Sequence, residues 1–303
     1  MSRKTIIVVT AYNRPDLLYE LLDELTKYNF SEILVSVDCD AFGEIDIDIK
    51  TIADERFHQI LWKFCSEKLG IGGNLVTVLN EVFQSYDNAI ILEDDIRISG
   101  YTLESVIKML DKRLPKKYLT IGLFGGLGYT PWLRIVFGRN RWRESDFFNP
   151  WGWAIQRESW KTYQQILDKK ILETRLANSK KWNSKSEKHK KIWLNRFLDV
   201  VANPNFTWDY QMQALTYMQD SVHLMPVYRS TDNVGFGDIR SVHTKNTKPF
   251  WYRGKRFRGV VSTDILMLGL RHKFLMFLDS ITFAGEFNWA KIRSKIISLK
   301  KFR

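Results

Sequence analysis

Hydrophobic residues follow two different periodicities in the first hundred residues. Thr5–Thr10 (TIIVVT) is continuous, β-branched and apolar, the pattern of a strand buried on both faces. Asn13-Arg14-Pro15-Asp16 breaks it. Leu17, Leu18, Leu21, Leu22 and Leu25 then recur at helical spacing. Ile33–Val37 predicts a second strand, ending in Asp38-Cys39-Asp40, and Gln59–Phe64 a third. Gly70-Ile71-Gly72-Gly73-Asn74 reads as a turn leading into a helix over Leu75–Phe83. Ala89–Leu92 predicts a fourth strand, ending in Glu93-Asp94-Asp95. Strands alternating with helices predict an α/β fold with a mostly parallel sheet and right-handed crossovers. Ligands of such sheets bind beyond the carboxyl ends of the strands. Three polar clusters fall there: Tyr12-Asn13-Arg14, Asp38-Cys39-Asp40 and Glu93-Asp94-Asp95.

Further along, a helix over Leu103–Leu110 precedes a glycine-rich strand region, Ile121–Gly128, and an aromatic loop, Phe147–Trp153. Residues 178–191 (NSKKWNSKSEKHKK) are polar and lysine-rich. They read as a solvated, mobile loop, with an acceptor-contacting lid as the alternative. Trp208–Met218 is predicted helical.

Charge changes the picture at the C-terminus. The chain of 303 residues carries +12, but residues 248–303 hold 13 Lys/Arg against 3 Asp/Glu. The tail is therefore +10 and the body only +2, which argues against a uniformly basic nucleic-acid binder. The expected division is a catalytic domain over 1–247, with donor-binding (1–100) and acceptor-binding (101–247) halves, and a basic, aromatic, helical extension over 248–303. In that extension Phe250, Trp251, Tyr252 and Phe257 interleave with Arg253, Lys255, Arg256 and Arg258. Ile265, Leu266, Leu268, Leu275, Met276 and Phe277 add apolar area. Two readings stand: an interfacial helix on anionic membrane, or apolar residues packed on the domain. Two cysteines, Cys39 and Cys65, build no disulfide framework and, without a His-Cys cluster, imply no zinc. No apolar run is long enough to span a bilayer. A cytoplasmic setting, with peripheral contact at the inner face of the membrane, is expected.

The acidic triplet is the first candidate site. Three adjacent carboxylates at a strand end repel one another unless a positive charge sits among them. Mg²⁺ or Mn²⁺ would remove that cost and stabilise a departing diphosphate. A solvated loop with a helix-capping acid is the alternative. Asp209, beside Trp208, has the surroundings of a desolvated general base. It also stands where a helix cap would. His243, in a polar, glycine-containing segment running from Asp232, suits a phosphate or the metal, or a structural role.

Taken in order, these motifs resemble the GT-A-fold glycosyltransferases, in particular the α-mannoside β-1,2-N-acetylglucosaminyltransferase type and bacterial family 2 enzymes. The resemblance rests on Ala11-Tyr12-Asn13-Arg14-Pro15, Val35-Ser36-Val37-Asp38-Cys39, Glu93-Asp94-Asp95, Asp146-Phe147-Phe148-Asn149-Pro150-Trp151-Gly152-Trp153 and Trp208-Asp209, across about residues 5–245. It implies a donor site built from Ala11, Tyr12, Asn13, Arg14, Asp38, Asn74, Glu93, Asp94, Trp153 and His243. Arg14 and Asp38 would contact the nucleoside, and Asp94 the ribose or sugar hydroxyls. Asp95 would ligate Mn²⁺ or Mg²⁺, and Asp209 would be the catalytic base. Asn74 stands where the family has a nucleoside-contacting His. The implied activity is inverting transfer, with GlcNAc the favoured sugar, from a UDP-sugar to a hydroxyl of a glycan or lipid-linked oligosaccharide in bacterial cell-surface polysaccharide synthesis. Two rivals remain. A sugar-phosphate nucleotidyltransferase would need a glycine-rich phosphate loop after strand one. A non-catalytic basic module would bind membrane or nucleic acid.

Overall fold

The computed structural model describes residues 3–28, 30, 32–125, 128, 131–163, 166, 168–241, 252, 255–265, 273–277 and 279. The first half runs β1 (Thr5–Ala11), α1 (Pro15–Thr26), β2 (Ile33–Val37), α2 (Ile47–Thr51), β3 (Leu61–Phe64), α3 (Gly70–Ser85), β4 (Asn88–Glu93), β5 (Ile96–Ile98) and α4 (Gly100–Leu110). The second runs β6 (Tyr118–Gly122), α5 (Pro131–Phe137), β7 (Arg141–Ser145), β8 (Trp153–Gln156), α6 (Arg157–Trp160), α7 (Lys169–Asn178), α8 (Lys180–Asn183), α9 (Glu187–Ala202), α10 (Asp209–Met218), β9 (Val222–Pro226), β10 (Thr231–Asn233) and β11 (Ser262–Ile265).

The fold is α/β, with a mostly parallel central sheet. Among the described residues its strand order is β11-β7-β9-β6-β8-β4-β1-β2-β3, and β10 and β5 form a separate ribbon. β3, β2, β1 and β4 are parallel neighbours; β8 runs antiparallel to both β4 and β6. β1 lies between β2 and β4, which is why its apolar run is unbroken. Alternate residues point to opposite faces. Ile7 and Val9 join a core with Leu18, Leu21, Leu22 and Leu25 of α1 and Leu103 and Val106 of α4. Ile6 and Val8 join a second core with Leu75, Val78 and Leu79 of α3 and Met212 and Leu215 of α10.

Three expectations change. The glycines at 70–73 belong to the first turn of α3 rather than to a turn before it. Gly70 has φ +73°, and a Cβ on Gly72 would sit 2.8 Å from the Thr207 carbonyl and 2.9 Å from that of Pro204. These positions let the 204–207 backbone close on the helix end.

Residues 178–191 are mostly helical rather than loop. The side chains of Ser179 and Ser186 cap α8 and α9, accepting from Trp182 N and His189 N. Trp182, His189, Trp193 and Phe197 are buried on the second core. The Lys181 ammonium lies 2.8 Å from one Asp146 oxygen and that of Lys185 2.9 Å from the other. The lysines in this stretch therefore include two that hold a half-buried carboxylate.

The described part of 248–303 holds a strand as well as the helical residues 273–277, and it continues the body's sheet and core. β11 pairs parallel with β7. Tyr252 packs between Phe124, Trp151 and Phe236. Leu275 is buried with Phe137, Val227 and Tyr228. Asp279 receives both guanidinium NH₂ groups of Arg143 at 2.5 and 2.7 Å, with both side chains almost fully buried. No helix of the described residues is long and apolar enough to cross a membrane.

A polar relay sits inside the second core. His223 Nε2 lies 2.7 Å from the Thr216 hydroxyl and Nδ1 2.7 Å from that of Thr120. Thr216 donates its own proton to the Met212 carbonyl, so Nε2–H must donate, and in the neutral ring Nδ1 accepts from Thr120. Burial, with nearby Lys181, pushes the His223 pKa down to about 3. The folded state thus refuses a proton that the unfolded chain takes up near pH 6.5. This group's stabilisation is complete above pH 6.5 and is lost as pH falls from there towards 3. Between pH 6.5 and 4.5, His223→Gln should flatten the fall in unfolding free energy by about 1.4 kcal/mol per pH unit, in chemical denaturation at each pH. Equal slopes in the two proteins would contradict the buried neutral ring.

Candidate active site

The carboxyl ends of β1 and β4, the N-terminal ends of α3 and α10, the aromatic loop before β8 and the segment after β10 surround one cavity of ≈620 Å³. Ala11, Tyr12, Asn13, Arg14, Asp38, Asn74, Glu93, Asp94, Asp95 and Asp209 all line it. Trp153 does not: it is fully buried in β8, stacked on Trp208 at 5.0 Å and 23°. Trp151, two residues earlier, lines the cavity instead. The two indoles therefore divide the work, one behind the wall and the other in it. The place of His243 lies outside the described residues.

Several residues expected on the donor are held by the protein itself. The Arg14 guanidinium donates to both oxygens of Asp94, with Nε 3.2 Å from Oδ2, and to Asp95 Oδ2 at 2.9 Å. Arg14 is therefore the counter-ion of Asp94 and Asp95. Asp38 accepts from the backbone N–H of Cys39 (3.0 Å), Leu69 (3.0 Å) and Gly70 (2.9 Å), which places its charge at the N-terminus of α3. Asn74 is tied to Ser36: its side-chain oxygen accepts from the hydroxyl at 2.6 Å and its amide donates to the carbonyl at 3.3 Å.

Arg14 is joined by Arg97, whose charge also favours ionised Asp94 and Asp95 but which is paired with Glu20. Together they do not offset the burial of three carboxylates. Burial raises all three above the usual carboxylate range, and their mutual repulsion adds to the rise of Glu93 and Asp94. Asp94 is pushed up to about 7 even though Arg14 opposes the shift. For Arg14, burial works against the charge, but Asp94 and Asp95 overcome it and hold the guanidinium above its ordinary value. The two shifts agree. Arg14 stays charged, and the remaining negative charge calls for a proton or a cation.

The donor set suits a hard divalent ion. Asp95 Oδ1 accepts from the Asn233 amide at 3.3 Å, and the Gly235 N–H donates to Asn233 Oδ1 at 2.9 Å. A side chain at Gly235 would collide with the Asp95 carboxylate, so glycine leaves room beside it. Among the described residues, no three Asp, Glu, His or Cys side chains form a metal cage. Mg²⁺-type ions in phosphate chemistry need only one or two protein carboxylates, the rest coming from water and phosphate.

Asp209, which lines the same cavity, is the first residue of α10. Trp208, not Asp209, occupies the N-cap position and makes no side-chain cap bond. The Asp209 carboxylate accepts from Tyr210 N at 2.9 Å and from the Thr207 hydroxyl. It is close enough to Glu93 for its charge to raise that pKa. Gln213, one turn along α10, accepts from Phe148 N at 2.9 Å and donates to the Asp146 carbonyl at 2.9 Å. The helix that carries Asp209 is thereby fixed to the loop that carries Trp151. Lys181 and Lys185 secure the same loop by holding Asp146 below the usual carboxylate range against the effect of burial.

Sequence reasoning did not single out Trp151, Lys68, Phe206, Asn233 or Arg240, all of which line the cavity. The polar segment from Asp232 was a usable signal for Asn233. Phe206 and Lys68 are placed by tertiary contacts that no local pattern reports.

No protein-family model matches the chain, and no curated protein does. Its structure is similar to that of a mannosyltransferase from Pyrobaculum calidifontis, solved with GDP-Man and Mn²⁺ (11% identity, 72% of this chain, 70% of that one, TM-score 0.39). It is also similar to S. aureus TarS (17% identity, 54% and 30%, TM-score 0.35) and to a mannose-1-phosphate geranyltransferase from Thermus thermophilus (13% identity, 77% and 77%, TM-score 0.41).

Proposed function

We propose that the protein is a glycosyltransferase that moves a sugar from a nucleotide-sugar donor to an acceptor hydroxyl with inversion. The observation that carries this reading is that one cavity is lined both by an acid triplet whose carboxylates burial raises and by Asp209, a carboxylate at a helix start. Asp209 accepts the proton of the acceptor hydroxyl as its oxygen attacks the anomeric carbon. The bond from that carbon to the nucleoside diphosphate breaks on the opposite face. Asp95, beside Gly235, would hold Mn²⁺ or Mg²⁺, which when bound neutralises the departing diphosphate. Arg14 pairs with Asp94 and Asp95 and holds them in place, and Trp151 and Trp208 wall the site against water. The donor is read as a UDP-sugar carrying GlcNAc. The acceptor is read as a glycan or lipid-linked oligosaccharide of cell-surface polysaccharide synthesis, met at the inner face of the cytoplasmic membrane.

The nucleotidyltransferase rival is disfavoured by the segment after β1. Tyr12-Asn13-Arg14 leads straight to Pro15 at the start of α1, with no glycine-rich phosphate loop.

Asp95→Ala should abolish Mn²⁺-dependent UDP binding, read by calorimetry, and with it turnover. Thermal melting should show that the fold persists, since Arg14 retains Asp94. Full turnover by this variant, or by the unaltered protein in excess chelator, would refute the assignment.

A further inference from the structure

α5 buries one aromatic residue and turns other apolar residues to solvent. Trp132 is 76% exposed, Ile135 75% and Val136 44%. Positions i, i+3 and i+4 share one helical face. Phe137 points the other way, is buried with Val227, Tyr228 and Leu275, and stacks on Phe274 at 6.2 Å and 18°. Phe274 and Phe277, three apart in a second short helix, are 49% and 56% exposed. The Phe137–Phe274 stack seats the second helix against the buried side of α5, while Trp132, Ile135 and Val136 stay exposed on the other side. Single exposed apolar residues need no explanation, but a grouped set marks a docking face.

Charge indicates what docks there. Arg139, exposed and ion-paired with Asp264, follows α5, and exposed Lys273 immediately precedes Phe274. Beyond Asp279 the sequence adds Lys291, Arg293, Lys295, Lys300, Lys301 and Arg303 against one acid, Glu286. An apolar, Trp-bearing face flanked by cations and followed by a basic terminus complements an anionic bilayer. Lipid headgroups meet the lysines and arginines, while Trp and Phe settle at the hydrocarbon boundary.

We infer that the exposed side of α5, Trp132, Ile135 and Val136, is the face by which this protein sits on anionic phospholipid. The inference goes beyond the transfer chemistry and is independent of it, since lipid binding and sugar transfer are measured separately. The test uses the full chain and sedimentation with vesicles of phosphatidylcholine, alone or with anionic phosphatidylglycerol. Binding is expected only to the anionic vesicles. It should weaken at least tenfold in high salt and at least tenfold in the Trp132→Glu/Ile135→Glu double variant, with the melting temperature unchanged. A second readout is quenching of tryptophan fluorescence by brominated lipid, which should fall in Trp132→Phe. The inference is overturned if the protein ignores anionic vesicles at low salt or if the double variant binds as before. It is also overturned if the double variant turns a dimer into a monomer without any effect on lipid binding, because a second copy would then cover the face.

Discussion

Asp209→Asn should lower kcat by roughly 10²–10⁴ while donor affinity stays within about twofold, the range expected when a positioned general base is lost. The substitution keeps the shape, and the amide oxygen can still accept from Tyr210 N and the Thr207 hydroxyl, so α10 should start at the same place. What disappears is the capacity to take the acceptor's proton. If Asp209 served only the helix end, the variant would lose melting temperature and keep kcat. Single-turnover kinetics with a saturating nucleotide sugar, beside a thermal melt, separate the two outcomes.

Truncation after Lys248 should give a protein that is insoluble or melts far below the full chain. The cut removes β11 from the sheet edge and Tyr252 from its place against Trp151. It also removes Asp279 and leaves the buried guanidinium of Arg143 without that carboxylate. Breaking one side of a buried ion pair costs about 3–5 kcal/mol, because the remaining charge is uncompensated. Asp279→Ala isolates this part and should destabilise by that amount in chemical denaturation. A soluble truncated chain with unchanged melting would mean that the C-terminal segment is an appendage.

The sequence stated some of this architecture directly, and the reasons are physical. β1 and β4 have a core on each face, so Ile6–Val9 and Ala89–Leu92 are uniformly apolar and legible. Asp209 and the acid triplet were visible because each sits at a boundary between an apolar element and a polar break. The Arg14 pairing was not, since its partners lie 80 and 81 residues away. The helices across 178–191 were hidden by lysines, because Trp182 and His189 are the only large buried side chains in that stretch, and Trp193 and Phe197, which continue the i, i+4 spacing from His189, fall beyond it. The edge strand β11 contains Ser262, Thr263 and Asp264, polar residues that an interior strand would not carry. The tail's basic composition describes its surface and says nothing of the Asp279 anchor beneath it.

The central claim is that this cavity binds a nucleotide sugar with the help of a divalent ion. The most direct measurement is the melting of the full chain against a panel of UDP- and GDP-sugars, with Mn²⁺ and again with chelator. A donor at 100 times its dissociation constant should add about 2.7 kcal/mol of stability. That gain should vanish with chelator and in Asp95→Ala. If no nucleotide sugar stabilises the protein, while a nucleoside triphosphate with a sugar phosphate does, the transferase reading is wrong.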